Sequence, residues 1–319
     1  MNYKGEIKFM ASFFSIKGKL ENAKYINAFR LIRKYFKTIY YRTFSDKKFL
    51  NKKFKEVFGR EISKNNPRSF NEKLQWLKLY WYDPIAEICV DKYLVREYLE
   101  KLGLGHLLND LIDVYDRVED IKFEKLPEKF VLKCTHGSKC NIICKNKHDL
   151  DWKTAKKKLS NWMSTNYYWF SREWVYKKIK PRIVCEKFLE DDFFGELVDY
   201  KFFCFNGIPL YIMVGTERFS NTGLKVDYYD TQWNHLEIKQ DDPFSGKDIS
   251  KPQNLESMIK YAKQLSSKFS FVRIDFYEAN MKLYFGEFTF FPSGGFEKFQ
   301  PEKYDFDLGN ELKLPDCNK

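Results

Sequence analysis

No stretch of the 319-residue chain approaches the roughly 20 consecutive apolar residues that a membrane-spanning helix needs, so it is not expected to cross a bilayer. A disulfide framework is missing too. The seven cysteines are odd in number and scattered, which points to reduced thiols in a cytoplasm rather than to a stapled scaffold. The first thirty residues hold a short mixed stretch, FMASFFSI, flanked by lysines, with no small-residue cleavage site, so no secretory signal is expected. Neither an internal repeat nor a low-complexity segment is visible. What is present is a composition 44% apolar and 31% charged, that of a soluble globular protein. The length suggests two domains or one multi-lobed unit with a large core.

The net charge of +12 resembles a nucleic-acid signature until it is located. Residues 1–66 hold 17 Lys and Arg against 5 Asp and Glu, which leaves 39 of each sign in the remainder. The body is therefore neutral, and the excess lies on an N-terminal arm. Within that arm Tyr25, Phe29, Ile32, Phe36, Ile39 and Tyr40 recur at helical spacing beside Arg30, Arg33, Lys34 and Lys37. One reading packs this stripe on the body with the cations solvated. The other lays the helix on an anionic membrane surface, where each basic residue contributes about 1 kcal/mol. No nucleic-acid reading motif accompanies the charge, so nucleic acid is not an expected partner.

After KNNPRSF the pattern is helical, through NEKLQWLKLYWYD and then DPIAEICVDKYLVREYLEKLG, where Ile88, Val95, Tyr98 and Leu102 share a face and Gly103 supplies a stop. From residue 111 short apolar runs alternate with turns. Helices followed by mostly antiparallel strands predict an α+β arrangement in several lobes rather than a doubly wound sheet.

Three segments carry candidate chemistry. In VRIDFYEANMKLYFGEFTFFPSGG, alternation turns Arg273 and Asp275 to one side of a strand, and Glu287 and Thr289 to one side of the next. A hairpin with an odd number of loop residues near Glu278–Lys282 would set Asp275 opposite Glu287. Two carboxylates and a hydroxyl are hard oxygen ligands suited to Mg²⁺, with Arg273 aimed at the same phosphate. The competing reading is a plain Arg273–Glu287 salt bridge on a wet sheet face.

The second segment, KFVLKCTHGSKCNIICK, reads as a strand over 129–134, a polar loop from Thr135 to Cys140, and a strand over 141–145. Gly137 and Ser138 let backbone amides approach an anion, and Lys133 points a charge at the same place. Cys134, His136, Cys140 and Cys144 also suggest zinc, but no C-x-x-C pair is present and alternation should scatter them over two faces. The third segment, RIVCEKFLEDD, carries Glu186 at a strand exit, where a carboxylate can accept from an adenine amino group, and DYKFFCFNG follows with Lys201 inside an apolar strand.

In this order, FNEKLQWLKLYWYD, VDKYLVREYL, LPEKFVLKCTHGS, TNYYWFSREWVYKKIKPRIVCEKFLED, DYKFFCFNG, FVRIDFY and YFGEFTFFPSGGFEKFQP resemble the ATP-grasp superfamily of carboxylate–amine ligases. The resemblance is to the branch similar to the teichuronopeptide biosynthesis protein TupA, and it covers roughly residues 68–315. It implies an ATP-grasp fold, with the nucleotide held between two α+β lobes, a central one over 126–189 and a C-terminal one over 190–319, preceded by an N-terminal lobe over 67–125 and the basic arm 1–66. Lys92 and Lys133 look like the lysines that grip phosphates, under a cover loop containing Thr135, His136, Gly137 and Ser138. Glu186, with the backbone near Lys187 and Leu189, looks like the adenine hinge, and Asp191 or Asp192 like a ribose ligand. Lys201 looks like the lysine reaching the terminal phosphate, Asp275 and Glu287 like Mg²⁺ ligands, and Arg273 like the residue that stabilises the transferred phosphoryl group.

Two positions depart from the family pattern. Thr289 stands where a metal-binding Asn is common, and Ser138-Lys139 stands where the cover loop commonly reads Ser-Gly. The implied activity is ATP- and Mg²⁺-dependent amide formation through an acyl phosphate, with a small-molecule amine and a uronic-acid carboxylate, on a lipid-linked or nucleotide-linked glycan, as partners. The implied setting is cell-surface polysaccharide assembly in the cytoplasm, with contact to the inner face of the membrane through residues 1–66. Two alternatives from other classes remain: a glycosyltransferase of capsule or other surface polysaccharide, for which Asp191-Asp192 and Asp241-Asp242 give no Asp-x-Asp, and a non-catalytic ATP-binding scaffold.

Overall fold

The computed structural model describes residues 42–63, 65–191, 197–217, 220–221 and 223–316. The expected helical stripe over 25–40 lies outside the described residues, as does Asp192. The chain divides into two units, Met1–Ser45 and Asp46–Lys319, and every element below belongs to the second. Among the described residues no helix is long and apolar enough to cross a membrane.

Four helices come first: α1 (Asp46–Phe58), α2 (Phe70–Tyr80), α3 (Pro84–Val90) and α4 (Leu94–Lys101). Helix α2 starts where Ser69 and Glu72 form a reciprocal capping box, each side chain accepting from the other's backbone amide. The segment read as one helix from Asp83 is two. The buried Asp91 carboxylate accepts from the amides of Tyr93 (2.8 Å) and Leu94 (3.2 Å), a local alternative to the helical ladder that ends α3 and restarts the chain as α4. Gly103 does stop α4, in the left-handed region at φ 73°, with Gly103 N–H donating to Glu100 O and Leu104 N–H to Leu99 O.

Strands β1 (Leu111–Tyr115), β2 (Phe130–Cys134) and β3 (Asn141–Cys144) precede helices α5 (Trp152–Met163) and α6 (Tyr168–Ser171), and strand β4 (Ile183–Lys187) follows. These strands form one antiparallel sheet in the order β1-β4-β2-β3. One face packs Phe130, Leu132, Cys134, Ile183 and Cys185 against Ala155 and Leu159 of α5. Alternation turns Lys133 and Glu186 to the opposite face.

The second sheet is built from β5 (Val198–Phe205), β6 (Ile208–Thr216), β7 (Lys225–Asp230), β8 (His235–Leu236), β9 (Phe271–Ala279) and β10 (Lys282–Thr289). It too is antiparallel throughout, in the order β10-β9-β5-β6-β7-β8. Between β8 and β9, helix α7 (Leu255–Ser266) packs on β5, β6 and β9, burying Leu255, Met258, Ala262 and Leu265 in the core that also holds Phe202, Ile212, Ile274 and Phe276. Helix α8 (Lys303–Glu311) then returns to α2, where Asp305 accepts from Asn71 N (2.9 Å) and Nδ2 (2.8 Å). The architecture is therefore the expected α+β arrangement of two antiparallel sheets.

Register across the large sheet decides the site. Glu287 pairs with Asp275, Asp275 with Lys201, Lys201 with Met213, and Met213 with Tyr228. Directly opposed residues share a face, so these five side chains form one transverse row.

Candidate active site

A cleft of about 690 Å³ lies between the polar faces of the two sheets. Lys133 and Glu186 line it from β2 and β4, Lys201 from β5, Arg273 from β9, and Glu287 and Thr289 from β10. Lys92 enters from the α3–α4 junction, because the Asp91 turn interrupts the helix there.

The hairpin that carries Arg273, Asp275, Glu287 and Thr289 reaches its register differently from the expectation. Its turn has two residues, Asn280 and Met281, both at positive φ (51° and 62°), the backbone of a tight type I′ connection. An even turn alone would have put the two carboxylates on opposite faces. A bulge at Gly286 supplies the missing residue, and beyond it Glu287 faces Asp275 and Thr289 faces Arg273. Gly286 is required by contact: a Cβ there would lie 2.9 Å from Asp275 O and 3.0 Å from Tyr277 Cε2.

Asp275 is the hub of the charge network. Its Oδ1 accepts from Arg273 Nε (2.7 Å), and its Oδ2 accepts from Arg273 Nη2 (2.7 Å) and Lys201 Nζ (2.9 Å). Burial by itself raises its pKa, but the charges of Arg273 and Lys201 outweigh that and hold it below the usual carboxylate range. Lys201 also donates to Asp199, two residues earlier on the same strand face. Burial disfavours the charge of Arg273, yet Asp275, then Glu287 and Asp199, keep it firmly protonated. Arg273 Nη2 lies 3.2 Å from Thr289 Oγ1 and 3.9 Å from Glu287 Oε1.

Two further pairs close the ring. Lys133 Nζ meets Glu186 Oε2 at 2.6 Å, with Arg96 Nη1 3.7 Å from the other oxygen. Lys92 Nζ stands 3.5 Å from Glu287 Oε2 and donates to Gly137 O at 3.1 Å, tying the cover loop to the carboxylate.

The remaining expected residues divide. Ser138 and Leu189 line the cleft. Thr135 is buried and bonded to Lys180 O and Arg182 N, and His136 Nε2 faces Trp162 O at 2.9 Å, so both anchor the loop rather than face the cavity. Lys187 is exposed, with its main chain paired to Asp110 and Asn109. Asp191 accepts from Asn280 N at 3.0 Å, joining the two sheets. Cys134 and Cys144 sit in the small sheet's core with Cys140 packed at its edge, and all three are free thiols. The residue in the family's usual glycine place, Lys139, adopts φ 60° and lines the cleft.

Sequence reasoning missed Arg96, Asp199, Tyr277 and Glu297, all lining the cleft. Asp199 had a signal, since it stands at i−2 from Lys201 on a strand. Glu297 had none, because it lies beyond β10 in irregular chain.

The donor set fits an ATP phosphate tail and a metal that arrives with it. Lys92, Lys133, Lys201 and Arg273 converge on one cavity, and the partners of Lys92 and Lys133, Glu287 and Glu186, are carboxylates at the cleft that phosphate oxygens can replace. Among the described residues no group of three His, Cys, Asp or Glu is gathered to hold a metal ion. Asp275 is 1% exposed and held by Arg273 and Lys201, whereas the Glu287 side chain is 36% exposed and open. That suits Mg²⁺, which binds through one or two carboxylates and takes its other ligands from phosphate and water.

No curated protein matches the chain by sequence. Among solved structures, D-alanine–D-alanine ligase from Bacillus anthracis complexed with ATP aligns at 17% identity and TM-score 0.37, over 63% of this chain and 55% of that one. D-Alanine–D-alanine ligase from Helicobacter pylori aligns at 16% identity and TM-score 0.39, over 76% of this chain and 69% of that one. The chain thus spans little more than half the length of the first of these relatives. The family described as TupA-like ATPgrasp matches residues 72–313, the greater part of the 319 residues and all of the cleft's charged elements, and the chain belongs to that family.

Proposed function

We propose that the chain is an ATP-dependent ligase that joins a carboxylate to an amine through an acyl phosphate. In this reading the acid is a uronic acid of a cell-surface polysaccharide, and the amine is an amino acid or other small amine. The observation that carries the ligase reading is the convergence of Lys92, Lys133, Lys201 and Arg273 on one cleft beside Glu287. The uronic acid rests on the family resemblance alone.

The substrate carboxylate attacks the γ-phosphoryl group of ATP, giving the acyl phosphate and ADP, and the amine then displaces phosphate. Lys133, Lys201 and Arg273 are fixed cations that offset the charge spreading onto the transferring oxygens, and being already oriented they cost little reorganisation. Asp275 and Glu287, with Thr289 through water, would hold Mg²⁺ together with the phosphates, and the ion would supply further neutralisation. Lys92, bonded to Gly137 O, couples phosphate binding to the 135–140 loop, which shields the acyl phosphate from water as it closes. Glu186, Leu189 and the backbone near Lys187 form the adenine end, with Asp191 or Asp192 toward the ribose. We assign the nucleotide to the space between the 126–189 and 190–319 lobes, and the working location to the cytoplasmic face of the membrane, with residues 1–66 as its contact.

The test is a matrix of uronic acids against amines with ATP and Mg²⁺, reading ADP release and product mass. ADP should require both an acid and an amine, and Asp275→Asn should lower its release about 100-fold or more. Turnover unchanged by Asp275→Asn would overturn the site assignment.

A further inference from the structure

Attack by an amine on an acyl phosphate leaves a proton to be placed, because a small amine enters the cleft at neutral pH as an ammonium ion. Glu173 is a carboxylate of the cleft that neither the nucleotide nor the metal uses. It lines the cavity although it is only 4% exposed. The backbone sets it there: α6 ends at Arg172, in the left-handed region at φ 57°, and the Glu173 amide donates back to Ser171 Oγ (3.3 Å).

Across from it runs the segment that follows β10, which lines the cleft at Pro292, Ser293 and Gly294. Glu173 Oε1 lies 3.6 Å from where a Cβ of Gly294 would stand. The carboxylate therefore abuts this segment at a residue that has no side chain to cover it.

The charges that act on Glu173 come from Lys78 of α2, Lys53 of α1 and Glu287 of β10, and the rings of Tyr167 and Tyr176 stand near it. Lys78 is the strongest of these, but it directs donors to Ser171 O (2.9 Å) and Gly294 O (2.6 Å), and Lys53 Nζ sits over the Phe296 ring at 4.2 Å. Burial, the largest influence, raises the Glu173 pKa against the pull of Lys78, Ser171 and Lys53, and Glu287 adds to the rise. A glutamate so placed accepts a proton near neutrality more readily than an exposed one does.

We propose that Glu173 is the base of the second half-reaction, taking a proton from the ammonium of the incoming amine beside Gly294. The claim rests on the ligase reading above and supplies that reaction's proton acceptor. The ammonium gives one proton to the Glu173 carboxylate, and the freed electron pair forms the bond to the acyl carbon as the carbon–oxygen bond to phosphate breaks. A second proton leaves the nitrogen with the departing phosphate, and a third stays on the amide of a primary amine. The Glu173 acid returns its proton to solvent when product leaves. Were Glu173 only the buried counter-ion of Lys78, its loss would slow every nucleophile alike.

The experiment compares two nucleophiles on the full chain with ATP, Mg²⁺ and methyl glucuronide, whose blocked anomeric carbon cannot form an oxime. Hydroxylamine is largely uncharged at neutral pH and needs no base, and its product is read as the iron(III) hydroxamate. Amino acids arrive as ammonium ions, and their amides are read by mass. Glu173→Gln should lower amide formation at least about 100-fold and leave hydroxamate formation within about threefold of the wild type. Glu173→Asp keeps a charge near Lys78 but draws the carboxylate back by one methylene, so it keeps the test open if Glu173→Gln folds poorly. It should lower amide formation at least about tenfold, again with hydroxamate formation retained. Equal loss of both products, amide formation unchanged in both variants, or hydroxamate without amide from any amino acid would overturn the proposal and spare the ligase reading. Neither product from the wild type defeats the ligase reading for uronic acids, and this inference with it.

Discussion

Asp275 is ionised in a place that water does not reach, because Arg273 and Lys201 outweigh the cost of burying it. Its folded pKa lies below the unfolded value, so its contribution to stability is complete above the ordinary aspartate range and is lost as pH falls through the folded pKa. Urea denaturation of the wild type from pH 7 downward should therefore show a loss below about pH 4 that Asp275→Asn lacks. The variant itself should be less stable by about 3–5 kcal/mol at neutral pH, since it strands two buried cations.

Lys78 is the complementary case. Burial lowers its pKa to about 7, while Glu173 pulls the other way, and its ammonium donates to Ser171 O (2.9 Å) and Gly294 O (2.6 Å). Lys78→Met removes both bonds and leaves Glu173 buried without its cation. The expected cost is about 3–5 kcal/mol by urea denaturation, and a value under about 1 kcal/mol would show the ammonium to be dispensable.

At the scale of elements, the β9–β10 hairpin owes the facing of Asp275 and Glu287 to one inserted residue. Gly286→Ala should cost about 1–3 kcal/mol, because the new methyl meets Asp275 O and Tyr277, and it should weaken nucleotide binding by turning Glu287 off register. Comparing the denaturation midpoint with the ATP-analogue affinity separates the two effects.

The hairpin also shows how far the chain could be read beforehand. Alternation alone placed Arg273 with Asp275 and Glu287 with Thr289, and it was right on each strand. The link between strands was not legible, since a bulge leaves no trace in a two-residue period beyond a glycine. Lys201 and Lys133 were legible as charges in apolar strands. The α3–α4 break was hidden, because the helical pattern continues across it and only the Asp91 carboxylate, folded onto its own backbone, interrupts the ladder. Asp305 and Asn71, which fasten α8 to α2, are far apart in sequence, and no local pattern joins them.

For the whole molecule, the ion pairs around the cleft are the groups that the proposed phosphate site would engage. ATP with Mg²⁺ should raise the unfolding midpoint, by about 2.7 kcal/mol of added stability at a hundredfold excess over Kd. Raising the ionic strength should weaken that effect, because the steering charges are screened. A thermal shift independent of both nucleotide and salt would argue against the cleft as the phosphate site.

Glu287, Asp275, Lys201, Met213 and Tyr228 each come from a different strand, and their common facing depends on the parity of every strand between them. Adding or deleting a single residue inside any of the five would swing one member into the opposite layer and silence it. Length variation among relatives that keep the chemistry is thereby confined to the connecting turns, or must arrive as a compensated kink of the kind at Gly286. An alignment that opens a gap within these strands is misplaced unless a glycine marks the spot.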